Sequence, residues 1–419
     1  MTPAAEPPRM VPTMPELPNR VLLPEIGVFA LVPDTWGGPW MPRHHILTRL
    51  GRFFHVVWFD PAREWRSWWL GAGPERRVID DRVPSIAGFS LYRPGRWLPR
   101  VYRPALAARA TERARQWRAR RILEGRGAQR MILYLWRPEF EHALDQIPHE
   151  LSCYHIDDEY SFAPIEQPLA EDEARLIRRV DQVIIHSQTL YEKKGSLNPN
   201  TALIPNGVDY ELFAAPRAEP ADLAEIPHPR IGYVGWVKEQ LNLGLLADLT
   251  ARHPTWSFVF VGPNRVPESH PDMRSLLARR NAYFLGARPV RNLAEYMQHM
   301  DVNIMPYVMN DYTRYIYPMK LHEYLAAGAP VVSSPIPAVE PFGHVVHLAR
   351  TLDEWTEGLQ LALSPEANAL ERREERRAVA RAHDWNHLAL RVARVLCERM
   401  GLHELDRLEE QEAKVIAGH

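Results

Sequence analysis

The stretch RIGYVGWVKEQLNLGLLADL, residues 230–249, decides the fold. Its first part, RIGYVGWV (230–237), is an apolar run of strand length, and LNLGLLADL has helical periodicity. The strand is broken at Gly235 and followed by Trp236, Val237 and Lys238, so a bare backbone and a lysine sit at a strand C-terminus. The same grammar continues in WSFVFVG (256–262), AYFLG (282–286), VNIMPY (302–307), PVVSS (330–334) and VVHLA (345–349). It also precedes the stretch, in GVFALVP (27–33), HVVWFDP (55–61), MILYLW (131–136), LSCYHID (151–157), QVIIHS (182–187) and TALIPNG (201–207). Helical segments such as 44–50, 105–123 and 171–180 separate these runs. Strands alternating with helices predict parallel sheets wrapped on both faces.

The two series are divided by AAPRAEPADLAEIPHP (214–229), rich in Pro and Ala. At 419 residues the chain is long enough for two domains with full cores. The expected division is a disordered, proline-rich lead at 1–19, an N-terminal domain at 20–215, a linker at 216–229 and a C-terminal domain at 230–384. A final helix at 385–419 follows, its apolar positions calling for a packing partner. In doubly wound sheets ligands bind outside the carboxyl ends of the strands, so two facing domains would close a cleft.

A formal charge of -1 argues against binding driven by bulk electrostatics. Charge is unevenly spread: from Arg93 to Arg130 there are twelve arginines and two acids, with Trp97, Tyr102 and Trp117 interleaved and WRSWWL (65–70) upstream. Three readings of this belt stay open: contact with anionic lipid, a partner interface, or a solvated helix. Nucleic acid binding lacks a motif. Cys153 and Cys397 lie in apolar surroundings and read as reduced core thiols of a cytosolic chain. The proline-rich start has no apolar core of the length expected for a signal peptide, no later run reaches the length expected for a membrane span, and no closely spaced Cys/His set suggests zinc.

A second stretch carries chemistry. In YIYPMKLHEYLAAGAPVV (315–332) Pro318 suits a first helical position, leaving Met319, Lys320 and Leu321 with the unpaired N–H groups of the opening turn. A helix mouth bearing Lys320 attracts anions, and Glu323 stands one turn on, away from the Leu321, Tyr324, Leu325 and Gly328 stripe. The plain alternative is a surface helix with an ordinary Lys and Glu. No GxGxxG and no GKT or GKS occurs, which disfavours an ordinary dinucleotide fold and a P-loop.

The order IGYVG, FVFVGP, YFLGARP with LAEYMQHMDVNIMPY, then PMKLHEYLAAGAPVVSS resembles the nucleotide-sugar domain of glycosyltransferase family 4, the retaining GT-B enzymes. DQVIIHSQTL followed by LIPNGVDYELF is similar to that family's signatures before the interdomain linker, and PxKxxEYLAAGxPVV resembles the teichuronic-acid-type subgroup. The resemblance implies an α/β GT-B fold of two facing Rossmann-like domains, with the last helix crossing the hinge. It further implies transfer of a sugar from a nucleotide-diphosphate donor to an acceptor, with no metal or other cofactor. Under it, Glu323 holds the ribose hydroxyls and the Pro318, Met319 and Lys320 loop meets the diphosphate. Lys238 supplies basic charge, although the family's Arg and Lys pair is not cleanly reproduced. Gly235 is the close-approach glycine beside Trp236, and 287–290 lies by the base.

Tyr315 stands where the family has a sugar-contacting glutamate, with Arg314 and Thr313 as candidate replacements. In the N-terminal domain, Gly37 and Gly38 in TWGGPWMPR (35–43) match the family's glycine-rich loop, which the resemblance places against the donor phosphates and the transferred sugar; a plain turn also stays open. His44 and His45 open a helix, where a cleft role and a capping role both stay open. Asp157 in CYHIDDEY (153–160) matches a histidine near the transferred sugar, with Asp158 the alternative; a turn role for the pair also stays open. A non-catalytic nucleotide-sugar-binding subunit and a GT-B epimerase are the rival functions. The acceptor side is compatible with a lipid-linked substrate at the inner face of the cell membrane.

Overall fold

The computed structural model describes residues 21–37, 40–61, 63–64, 83, 85–86, 89–90, 105–160 and 169–405. The expected lead at 1–19, Gly38, WRSWWL, the 93–104 part of the arginine belt and the tail beyond 405 lie outside the described residues.

Every expected strand run is a strand. The N-terminal sheet contains β1 (Ile26–Leu31), β2 (His55–Phe59), β3 (Ser85–Ile86), β4 (Arg130–Leu135), β5 (Leu151–Ile156), β6 (Gln182–Ile185) and β7 (Thr201–Leu203). β3, two residues long, has no counterpart in the sequence reading, and neither does a separate parallel pair formed by Arg63–Glu64 and Phe89–Ser90. These strands are parallel, in the order β3-β2-β1-β4-β5-β6-β7. The C-terminal sheet is formed by β8 (Arg230–Val234), β9 (Ser257–Val261), β10 (Ala282–Gly286), β11 (Val302–Met305), β12 (Val331–Ser333) and β13 (His347–Leu348). It too is parallel, in the order β10-β9-β8-β11-β12-β13. Strand order therefore reverses between β1 and β4 in one domain and between β8 and β11 in the other. Doubly wound sheets bind ligands at those reversals.

Burial explains why the runs are uniformly apolar. Every residue of β1, β5 and β8 is buried, so both faces of each strand are covered. Helix α1 (Pro42–Leu50) covers one face of the N-terminal sheet, and α2 (Ala105–Gly125) packs on β1 and β2. Further N-terminal helices are α3 (Glu171–Arg179) and α4 (Gln188–Lys194). In the C-terminal domain, α5 (Asp311–Tyr315) and α6 (Lys320–Ala327) precede β12.

The last helix, α7 (Trp385–Arg399), returns to the N-terminal domain. Trp385, Leu388, Leu390, Val392, Leu396 and Cys397 join the core formed by Ile26, Trp58, Tyr134 and Cys153. Burying each such side chain contributes roughly 1.5–3 kcal/mol, so the crossover is a structural seam of the molecule. Both cysteines are buried free thiols in that core, as expected. The linker is not a free tether, because its Leu223 and Ile226 are buried in the C-terminal core and its Glu219 pairs with Arg230. Among the described residues, no helix is long and apolar enough to cross a membrane.

Candidate functional site

The C-terminal half of the site is built where β8, β9 and α6 meet. Tyr324 ties α6 to the end of β8: its Oη accepts from the Val234 amide at 2.9 Å and donates to the Val234 carbonyl at 3.3 Å. One turn earlier, Lys320 therefore lies over the β8 terminus. A Cβ on Gly235 would collide with the Lys320 Cε and Nζ, and Gly235 adopts φ 149°. Position 235 is thus glycine both for conformation and for space. Gly262, φ 145°, is its counterpart after β9, since a Cβ there would strike the Gly235 carbonyl.

With both glycines in place, the two loops bond backbone to backbone. The Val237 amide donates to Pro263 O at 3.0 Å and the Arg265 amide to Val237 O at 2.8 Å. Lys238 and Arg265 are consequently neighbours. Lys238 Nζ lies 5.1 Å, and the Arg265 guanidinium 4.5 Å, from the centre of the half-exposed Trp236 ring. Tyr233 Oη fixes the loop by donating to Trp236 O at 3.1 Å. Burial, then Lys320, then Arg265 lower the Lys238 pKa, and Asp158 across the cleft opposes them. Among the described residues, Lys238, Arg265 and Lys320 form no ion pair with a carboxylate. Such a cluster favours anions.

The mouth of α6 begins later than the sequence suggests. Pro318 precedes the helix, Met319 is its N-cap, and the Leu321 amide turns back to Pro318 O at 3.2 Å. Leu321 therefore does not offer the unpaired N–H expected of it, because a tight turn consumes it. Glu323 is half-buried, and burial raises its pKa against the pull of Lys320. It lies close enough to Tyr233, Tyr307 and Tyr324 to raise their pKa values as well. A carboxylate so enclosed is suited to accept hydroxyl hydrogen bonds.

Tyr315 does not line this site. Its side chain is 6% exposed and sits in the N-terminal core with Phe29, Leu31, Ile156 and Leu190. Its carbonyl accepts from Ser187 Oγ at 3.2 Å, and Lys193 Nζ lies 4.8 Å from its ring centre. An aromatic side chain gains more from that core than from a polar cleft, so the expected donor contact is replaced by an interdomain one. Arg314 is exposed and rests on the Tyr315 ring, its carbonyl accepting from Thr189 Oγ1 at 3.0 Å. Thr313 is fully buried and its hydroxyl completes the capping box of α5 by accepting from the Asn310 amide, so it is no replacement contact. The nucleobase expectation for 287–290 also meets a constraint, because Arg288 is bound to Asp222 and Tyr296.

The N-terminal half resolves the acidic pair. Asp157 is buried, ion-paired with Arg43 and bonded at 2.6 Å by Tyr160 Oη. Arg43 also pairs with Asp34, so it welds the loop after β1 to the end of β5. Burial opposes the Arg43 charge, while Asp157 and Asp34 raise its pKa above the usual value. Asp157, expected near a transferred sugar, is instead one side of a buried ion pair. Asp158 is the cleft-facing member. Burial and then Asp157 push its pKa up to about 6, and it is close enough to perturb Lys238 and Tyr312 of the other domain.

Of the two roles open for His44 and His45, the structure shows His44 capping α1 and both histidines packed in the scaffold. His44 Nδ1 accepts from the Met41 amide at 3.1 Å and its ring packs on Trp58, with burial and then Arg43 depressing its pKa to about 4. His45 stacks on Trp385 of α7 at 5.1 Å. Gly37 turns the loop after Trp36, whose amide is held by Asp60.

Arg265, Arg43, Tyr312 and Asn206 were not singled out from sequence. One signal could have found Arg265: Gly262 is followed three residues later by a cation, as Gly235 is. Asn206 Nδ2 donates to Tyr317 O at 2.9 Å, which makes the Pro-Asn-Gly-Val-Asp run an interdomain joint.

The whole defines the two-domain GT-B class, a cleft between doubly wound sheets with a cationic C-terminal wall. Residues 228–360, within the C-terminal domain, match the family model described as glycosyl transferases group 1. A relative named as a teichuronic acid biosynthesis glycosyltransferase, TuaH of Bacillus subtilis (strain 168), is 28% identical over 226 residues. That match takes in 52% of this chain and 56% of the relative, so it spans about half the length of each.

Solved structures agree on the fold. A structure described as trehalose-6-phosphate from E. coli bound with UDP-2-fluoro glucose superposes with TM-score 0.61 at 14% identity, covering 88% of this chain and 98% of that one. WaaG, a glycosyltransferase involved in lipopolysaccharide biosynthesis, gives TM-score 0.56 at 14% identity over 88% and 99%.

Proposed function

We propose that the protein is a retaining glycosyltransferase that moves a sugar from a nucleotide-diphosphate donor to an acceptor bound against the N-terminal domain, in surface polysaccharide or related glycoconjugate synthesis. The observation that carries this reading is the convergence of Lys238, Lys320 and the glycine-lined β8 terminus beside the enclosed Glu323. The cations suit a diphosphate and Glu323 suits the ribose hydroxyls. The teichuronic acid name of the relative is what points to surface polysaccharide.

In the transfer, the bond between sugar C1 and the diphosphate oxygen breaks as the acceptor oxygen attacks C1. The electron pair leaves on the phosphate, where Lys238, Lys320 and the α6 dipole stabilise the charge, and the acceptor proton passes to that departing oxygen on the same face. Neither a metal nor a protein nucleophile is required. Asp158, at the edge of the cleft opposite Lys238, is the N-terminal group suited to orient a sugar hydroxyl.

The membrane reading of the arginine belt gains support from α2. Arg109, Arg113, Arg118, Arg120 and Arg121 are exposed beside Trp117, which is 65% exposed. Arg115 is the exception: it is buried, donating to Glu112 and Asp60. That face suits an anionic lipid surface at which a lipid-linked acceptor would be met.

Tyr315 favours a second reading, a non-catalytic nucleotide-sugar-binding subunit, because the position is spent on domain contact. Incubation with a panel of nucleotide sugars, with and without extracted lipid acceptors, separates the two. Acceptor-dependent release of nucleoside diphosphate is expected, whereas binding without turnover on any donor would overturn the transferase reading.

A further inference from the structure

Three cations meet at the C-terminal wall, one more than the diphosphate of a sugar nucleotide matches. Lys320 comes from α6 and Lys238 from the loop after β8. Arg265 comes from the loop after β9, brought there by the close approach of Gly262 to Gly235 and the paired amides of Val237 and Arg265. Val237 and Asn264 form a parallel bridge, so the position of Arg265 is set by backbone pairing. Its guanidinium is held against the Trp236 ring, as is the Lys238 ammonium. Its side chain is exposed, with no carboxylate ion pair among the described residues, so it keeps its donors for a ligand. Backbone-fixed cations that repel one another in the empty site are offset only when an anion arrives.

The diphosphate of a sugar nucleotide carries one charge on each phosphate. After the C1–O bond breaks, the terminal phosphate holds the bonding electron pair. Once the proton taken from the acceptor is shed to water, it bears a second charge, its second pKa lying near 6. We infer that Arg265 is the group that meets this additional charge, a leaving-group stabiliser supplied by the β9 loop in a chain whose β8 loop carries Trp236 next to its glycine. The inference rests on the transferase reading above. An interaction stronger in the departing state than in the bound donor accelerates the chemical step. Arg265 therefore discriminates released nucleoside diphosphate from nucleoside monophosphate.

The test uses the full chain with UDP, GDP, ADP and CDP and the matching monophosphates, measured by calorimetry. For whichever diphosphate binds wild type, Arg265→Ala is expected to weaken it roughly tenfold or more, the loss of a hydrogen bond to a charged group. Affinity for the monophosphate is expected to change by less than about twofold, and Arg265→Lys to recover part of the loss. A thermal melt identical to wild type is expected, because the side chain is exposed. Unchanged diphosphate affinity in Arg265→Ala would overturn the role of Arg265 while leaving the transferase reading intact. Equal losses for diphosphate and monophosphate would assign Arg265 to the inner phosphate and overturn it as well. Failure of wild type to bind any of the four diphosphates would overturn the transferase reading and this inference with it.

Discussion

Ser187 Oγ, at the N-terminus of α4, donates at 3.2 Å to the carbonyl of Tyr315, the last residue of α5 in the opposite domain, from which the chain leads into α6. The same hydroxyl caps α4 by accepting from the Leu190 amide. Thr189 and Asn206 bond the same C-terminal segment at Arg314 O and Tyr317 O. The loop that delivers Lys320 and Glu323 is therefore anchored to the N-terminal domain, and the site's two halves are mechanically linked.

Removing the anchor should loosen the loop before it affects the domain cores. Ser187→Ala is expected to cost about 1 kcal/mol through the lost cap and bond, and Tyr315→Ala roughly 3 kcal/mol through the emptied core position. Hydrogen exchange of the 308–317 amides checks this: faster exchange there with unchanged protection in β1 and β8 is the expected pattern. Unaltered exchange would mean the anchor does not restrain the loop.

Glu323 and Asp157 should separate cleanly. Glu323→Ala is expected to weaken nucleoside diphosphate binding by roughly tenfold, since it removes an acceptor for ribose hydroxyls. Asp157→Ala leaves Arg43 buried with Asp34 alone, so it should lower stability by roughly 3 kcal/mol with little change in nucleotide affinity. Calorimetry and thermal melts on both variants read the two effects. Equal donor affinity in wild type and the Glu323 variant would sink the ribose assignment.

Asp158 makes stability pH-dependent in a defined direction. Its pKa in the folded chain, about 6, lies above its ordinary value, so the folded state holds the proton more tightly than the unfolded state. The stabilisation from protonation is fully present below the ordinary carboxylate range and is lost as pH rises through 6. Asp158→Asn should thus match wild type at pH 3.5, gain relative stability between pH 4 and 6, and hold a constant advantage above that. Melting curves at steps across this range provide the check, and a difference independent of pH would contradict the burial of the carboxylate.

The arginine face of α2 is testable without knowing the acceptor. Reversing Arg113, Arg118 and Arg121 to Glu is expected to reduce sedimentation with phosphatidylserine liposomes, at about 1 kcal/mol for each lost basic residue. Arg115 is left alone because it is buried over Phe59, and changing it would unsettle the sheet. Sedimentation equal to wild type would remove the membrane role.

The sequence by itself determined the architecture, because strand-length apolar runs buried on both faces have few alternatives and their alternation with helices dictates parallel sheets. It also determined that Lys238, Lys320, Gly235 and Glu323 share one wall, since each lies at or just beyond the end of an element of one domain. The tertiary structure decided what depends on distant partners. It turned Asp157 toward Arg43 and left Asp158 at the cleft, although adjacent carboxylates at a strand end look alike in one dimension. It gave His44 to Trp58 on the next strand and His45 to Trp385 far along the chain, and brought Arg265 beside Lys238 through two glycines 27 residues apart. It put Tyr315 into the other domain's core, because burying an aromatic ring there is worth more than exposing it in a charged cleft.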